Sequence, residues 1–161
     1  MELFSTPVKD IYYRQANDND SPIIRELIFT ILKGYGLNTD QLETDRDMFE
    51  IEKYYPEGHF WVIVDTNNDI KGSLALFYPN DSQAEVKRMY FSSSIRGKGL
   101  GKWALKFLEE TALRQSRTSL WLETSSVLKE AIRLYIKNGF IKSVGSCHSS
   151  RCDIVMEKKL T

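Results

Sequence analysis

The residues of this chain whose types and spacing could do chemistry gather at Arg96 to Lys102, read RGKGLGK. Three glycines alternate with Arg96, Lys98 and Lys102 just ahead of an amphipathic segment, which is the composition of an anion site at the start of a helix. Backbone N–H groups in a first helical turn have no intrahelical acceptor and lie at the positive end of the macrodipole, so one phosphate can satisfy several of them. Gly97, Gly99 and Gly101 remove Cβ atoms that would hold a pyrophosphate away, and the basic side chains add formal charge. An ordinary solvent-exposed turn has a similar composition, so spacing has to separate the readings. The GxxxxGK[ST] pattern fails because no Ser or Thr follows Lys102. The dinucleotide pattern GxGxxG begins at Gly97 and Gly99, but Lys102 stands where its third glycine belongs. Glu123 supplies the later acidic residue of that pattern, which keeps it open. A third pattern, [RQ]xxGx[GA], is matched by Arg96, Gly99 and Gly101.

Such a turn needs a strand before it and a helix behind it. Val86 to Phe91 favours a strand, and Leu100, Ala104, Phe107, Leu108 and Ala112 recur at helical spacing in a segment running to about Gln115. Upstream, Ile11 to Gln15 reads as a strand. Ile23, Leu27, Ile28, Ile31 and Leu32 read as a helix stopped by Gly34 and Gly36, and a second helical stretch surrounds Met48 to Tyr54. The apolar run His59 to Val64 predicts a strand covered on both faces, joined through Asn67, Asn68 and Asp69 to a hairpin partner at Ile70 to Tyr78. Downstream come a strand at Ser119 to Glu123 and a helix at Val127 to Lys137 ended by Asn138 and Gly139. Two terminal strands follow, at Phe140 to Val144 and Asp153 to Lys158. The predicted fold is mixed α/β: a central twisted sheet of six or seven strands flanked by about four helices, in one domain over 1–161.

Lys plus Arg and Asp plus Glu both number 22, so net charge gives no basis for general binding to nucleic acid or to an anionic membrane. No apolar run approaches membrane-spanning length and Met1 to Pro7 has no signal-peptide core, so a cytoplasmic location is expected. Cys147 and Cys152 flank His148. A structural zinc site needs four ligands, and the only further histidine is His59 unless a carboxylate joins. The expectation is free thiols and no metal; spacing alone also allows a disulfide.

Two further stretches bear on the turn: LWLETS at Leu120 to Ser125, and KEAIRLYIKNGF at Lys129 to Phe140, which looks like an AxxLYxxxGF signature. With Arg96 to Gly101 they occur in the order found in the GNAT superfamily of acyl-CoA-dependent N-acyltransferases, which the chain resembles from YYRQAND at Tyr12 to the terminal IVMEKKL. The resemblance implies acetyl-CoA as acyl donor and direct transfer to a primary amine of a small molecule, peptide or protein. It assigns the CoA pyrophosphate to the turn formed by Arg96, Gly97, Lys98, Gly99, Leu100, Gly101 and Lys102. Pantetheine would lie along the end of the central strand, where a bulge frees backbone N–H groups near Met89, Tyr90 and Phe91.

The same resemblance puts Glu85, eleven residues before Arg96, where some members use a glutamate base, and Tyr135 where they use a tyrosine acid. A paired strand carboxylate and a core tyrosine are the structural alternatives. A phenol of pKa about 10 is protonated at pH 7 and can donate to a thiolate whose conjugate acid lies near 8.5. The family's frequent cofactor-contacting Asn is replaced here by Leu128. Thr124 and Ser125 offer substitutes, or they cap the following helix. The region joining the first two helices lines the family's acceptor site, which makes Asp45 and Tyr54 candidate substrate contacts. A homodimer is common in the family. Two other functions compete: an acyl-CoA-binding sensor or interaction domain without turnover, and a dinucleotide-binding oxidoreductase.

Overall fold

The computed structural model describes residues 1–160. In chain order the elements are β1 (Phe4–Ser5), β2 (Tyr12–Gln15), α1 (Ser21–Gly34), α2 (Ile51–Tyr54), β3 (Phe60–Val64), β4 (Ile70–Phe77), β5 (Gln83–Phe91), α3 (Leu100–Arg114), β6 (Ser119–Thr124), α4 (Lys129–Lys137), β7 (Ile141–Lys142) and β8 (Ile154–Lys159). The strands form one eight-stranded sheet in the order β1-β2-β3-β4-β5-β6-β8-β7. Every neighbouring pair is antiparallel except β5 and β6.

Alternation along the strands builds two apolar layers. All five residues of β3 are buried. Trp61 and Ile63 point with Leu74 and Leu76 into a layer covered by α3 and α4, while Phe60, Val62 and Val64 point into a layer covered by α1 and α2. The buried stripe of α1 is Ile24, Ile28 and Leu32, and Ile23, expected inside, is 52% exposed. A three-and-four repeat tolerates this rotation because two adjacent stripes satisfy it. No helix of the described residues is long and apolar enough to cross a membrane.

Three departures from the sequence reading affect the site. The Met48 to Tyr54 stretch is a 3-10 turn at Arg46–Phe49 followed by the single turn of α2, because Asp45 and Asp47 turn inward to meet arginines. The two-residue β1 adds a strand, and the expected Phe140 to Val144 strand shrinks to exposed β7. Cys147 and Cys152 are bonded to each other, which corrects the expectation of free thiols. Their loop folds back far enough to place the Cα atoms 5.6 Å apart, inside bridging range, a fact invisible to an argument from cell compartment.

The central strand β5 is irregular on both edges. Its parallel pairing with β6 covers only Gln83–Glu85 against Ser119–Trp121, after which the strands part. Toward β4, Ser73 faces Tyr90 while Ala75 faces Lys87, so β5 carries one extra residue. The bulge falls at Arg88 and Met89, slightly earlier than expected. Arg88 adopts φ +56°, and its carbonyl accepts a 2.7 Å hydrogen bond from Ser73 Oγ.

Candidate active site

Where β5 and β6 part, a cavity of about 510 Å³ opens, walled by Glu85, Met89 and Tyr90 of β5, Trp121 and Thr124 of β6, and Tyr135 of α4. The structure therefore brings five of the sequence-predicted site residues to one space. Glu85 is only 8% exposed, and among the described residues its carboxylate makes no hydrogen bond or ion pair. Burial pushes its pKa up, Lys87 pulls it back and Glu123 pushes it up again, leaving it at about 7. Tyr135 is the one buried residue of α4. Burial, with a smaller contribution from Tyr90, pushes its phenol upward, so it stays protonated through the neutral range.

The glycine turn lies beyond the cavity, past the end of β5. Gly97 and Gly99 take φ +72° and +85°, and a Cβ on either would meet open space. Gly99 is the N-cap of α3 and no side chain caps that helix, so its first-turn N–H groups are left for an anion. Arg96, Lys98 and Lys102 are exposed, and Arg96 Nε donates to the Phe91 carbonyl at 2.7 Å, tying the turn to the strand. Gly101 serves a different purpose from the one expected. Its Cβ would sit 2.7 Å from Leu134 Cδ2, so its bareness allows α3 to meet α4. Leu100 sends its side chain into the core, and only its backbone is placed for a ligand.

Asp45 is not available for substrate contact, correcting that expectation. It is fully buried, accepts from Arg88 Nη1 at 3.0 Å and from Arg151 Nη1 and Nη2 at 2.8 Å each, and accepts the Asp40 N–H at 2.7 Å. Burial opposes its charge, but the Arg151 and Asp40 hydrogen bonds and both guanidinium charges outweigh this and hold its carboxyl below the ordinary range. Arg88 also donates through Nε and Nη2 to Asp47, which accepts the Tyr55 hydroxyl. Buried Arg88 and partly exposed Arg151 thus neutralise two buried aspartates at the cavity wall. Tyr54 is outside the cavity as well; it packs on the α1 layer with Lys53 Nζ 5.6 Å above its ring.

Thr124 and Ser125 are buried beside the cavity and neither caps α4, whose N-cap is Leu128. The sequence reading missed Arg88, Arg151 and Trp121. Arg151 lines the cavity from the loop before β8, and Trp121 has a buried indole N–H with no partner among the described residues. An arginine inside the β-prone run Val86 to Phe91 was the available signal for Arg88.

Comparison with known proteins agrees with the fold. The model described as "Acetyltransferase (GNAT) family" matches residues 25–140. The uncharacterized N-acetyltransferase YjgM of Escherichia coli strain K12 is 30% identical over 156 residues, covering 91% of this chain and 93% of that protein. N-acetylaspartate synthetase of Rattus norvegicus is 33% identical over 105 residues, which is 63% of this chain and 35% of that protein, so only about a third of its length is spanned. Among solved structures, an acetyltransferase of the GNAT family from Staphylococcus aureus Mu50 superposes with a TM-score of 0.85 at 21% identity, covering 94% of this chain and 99% of that one. A phosphinothricin acetyltransferase from Sinorhizobium meliloti, solved with AcCoA, gives a TM-score of 0.68 at 20% identity over 94% and 89% of the two chains. At these identities the two structures establish a shared fold.

Proposed function

Because the chain belongs to the GNAT acetyltransferase family, we propose that it acts as a single catalytic domain moving an acetyl group from acetyl-CoA directly to a primary amine of a small molecule or a peptide. The observation that carries this reading is that Glu85 and Tyr135, neither of them paired through its side chain among the described residues, line one cavity where β5 leaves β6. The chain's features suit the donor. Open space at Gly97 and Gly99, three exposed cations and an uncapped helix start suit a pyrophosphate, and the β5 edge released by β6 suits an amide-bearing arm.

Acetyl-CoA, the acyl-donating substrate, supplies a thioester carbonyl and a thiolate leaving group. The acceptor has the greater protonation problem, since an amine of pKa about 10.4 is neutral in only about one molecule in a few thousand at pH 7. Glu85, with its carboxyl at about 7, takes that proton directly or through water. Backbone N–H groups at the Arg88–Met89 bulge polarise the carbonyl as the C–N bond forms and the C–S bond breaks. Tyr135 directs its hydroxyl at the departing sulfur. Its raised pKa makes complete proton transfer uphill, so its main contribution is a hydrogen bond that steadies the developing thiolate. The bonded cysteines support direct transfer, since in this form neither offers a thiol to carry the acetyl group.

Calorimetric titration with acetyl-CoA, using NAD as control, tests the turn reading. Acetyl-CoA alone should bind; preference for NAD would overturn the assignment of Arg96 to Lys102.

A further inference from the structure

Glu123 has no part in the reaction above, yet its carboxylate is the pivot of the loop at 145–153. One oxygen accepts the His148 and Ser149 N–H groups at 2.6 and 2.9 Å, and the other lies 3.1 Å from His148 Nδ1. A Glu123 oxygen, Cys147 Sγ and Cys152 Sγ all lie within 4.8 Å of one another. The four side chains approach from β6 and from both ends of the bridged loop, and the His148 side chain is 76% exposed.

We propose that the reduced form of this chain binds a zinc ion through Glu123, Cys147, His148 and Cys152. Two thiolates, an imidazole and a carboxylate are the ligand types zinc takes, and the sulfurs select it over magnesium or calcium. Zn–S bonds of about 2.3 Å and Zn–N or Zn–O bonds of about 2.0–2.1 Å put neighbouring tetrahedral ligands roughly 3.3–3.8 Å apart. Glu123 lies 3.1 Å from His148 Nδ1, and its oxygen and the two sulfurs fall within 4.8 Å of one another, so three donors already stand near that spacing and the His148 ring has to turn to join the sulfurs. Reduction frees the two sulfurs to separate, and the exposed imidazole is free to swing toward them.

The chemistry balances. A dithiol reductant passes two electrons to the bridge, closes its own disulfide, and leaves its two thiol protons on Cys147 and Cys152. Zinc then displaces those protons as the thiolates bind. Glu123, His148 and Cys152 line the cavity. The metal would therefore hold the loop in the reduced state as the bridge holds it in the oxidised state, and the cavity mouth would keep its shape in both.

The test is to reduce the chain with a tertiary phosphine, which takes oxygen from water while the two protons go to the sulfurs, remove the phosphine and titrate anaerobically with Co²⁺. The reduced chain should bind one Co²⁺ with thiolate-to-cobalt charge-transfer and tetrahedral d–d absorption, displaced by Zn²⁺, while the oxidised chain shows neither band. Glu123→Gln should weaken binding about tenfold or more, the scale that even outer-shell partners carry. Cys147→Ser with Cys152→Ser, both on the loop and checked for folding by circular dichroism, should abolish the charge-transfer band. A reduced chain that binds no more cobalt than the oxidised one, or a double variant that keeps the band, overturns the proposal.

Discussion

Arg151 clasps Asp45 through both terminal nitrogens, Nη1 to Oδ2 and Nη2 to Oδ1 at 2.8 Å each, and so ties the loop before β8 to the segment between α1 and α2. Arg88 holds the same aspartate from behind. The Asp45 side chain is wholly buried, and its loss would leave Arg151 without a carboxylate partner and buried Arg88 with Asp47 alone. Asp45→Ala is expected to cost about 3–5 kcal/mol in urea unfolding. Arg151→Ala, whose side chain keeps 11% exposure, should cost less and act chiefly on acceptor KM. Equal stability losses for the two variants would count against Asp45 as the hub.

Glu85 carries a pH signature in stability as well as in rate. Its carboxyl holds a proton up to about pH 7 in the native state, against 4.5 ordinarily. Between those values the native state binds more protons than the unfolded chain, so stability falls as pH rises through that window. Glu85→Gln removes this loss, and its unfolding free energy should gain on the parent from pH 5 to pH 8, by on the order of 3 kcal/mol at most. A difference that does not vary with pH would show that burial does not raise this carboxyl.

Tyr135→Phe keeps the ring in its place beside Phe140, 5.8 Å between centroids, and removes only the hydroxyl. Turnover should fall about 10²-fold, the lower range for a lost proton donor, while acetyl-CoA affinity holds. Parallel losses in both would mark the residue as packing alone.

The glycines of the turn should separate by role. Gly99→Ala forces a side chain into φ +85° and should cost about 1–2 kcal/mol while weakening acetyl-CoA binding. Gly101→Val pushes into Leu134 and should cost about 1–3 kcal/mol through the α3–α4 contact, with affinity nearly kept in the folded fraction. Unfolding curves with parallel calorimetry distinguish them.

What was legible in the sequence is what short spacing encodes. The element order came through because apolar periodicity persists over whole strands and helices, and Glu85, Tyr135 and the glycine turn stood out because each sits in a local pattern. Asp45 was misread because its partners lie 43 and 106 residues away. An acidic loop and an inward-turned ion pair have the same composition. Gly101 was misread for a similar reason, since its purpose depends on a leucine of another helix. The bulge is a property of two paired strands, which no single strand displays.

The central claim is that the cavity transfers an acetyl group to an amine. The most direct measurement is thiol release from acetyl-CoA across a panel of primary amines, with mass spectrometry of the acceptor. The expected result is amine-dependent release with a product heavier by one acetyl group, slowed about 10²-fold in Tyr135→Phe and losing its rise near pH 7 in Glu85→Gln. Acetyl-CoA binding without release to any amine, or release unaffected by both substitutions, would contradict it.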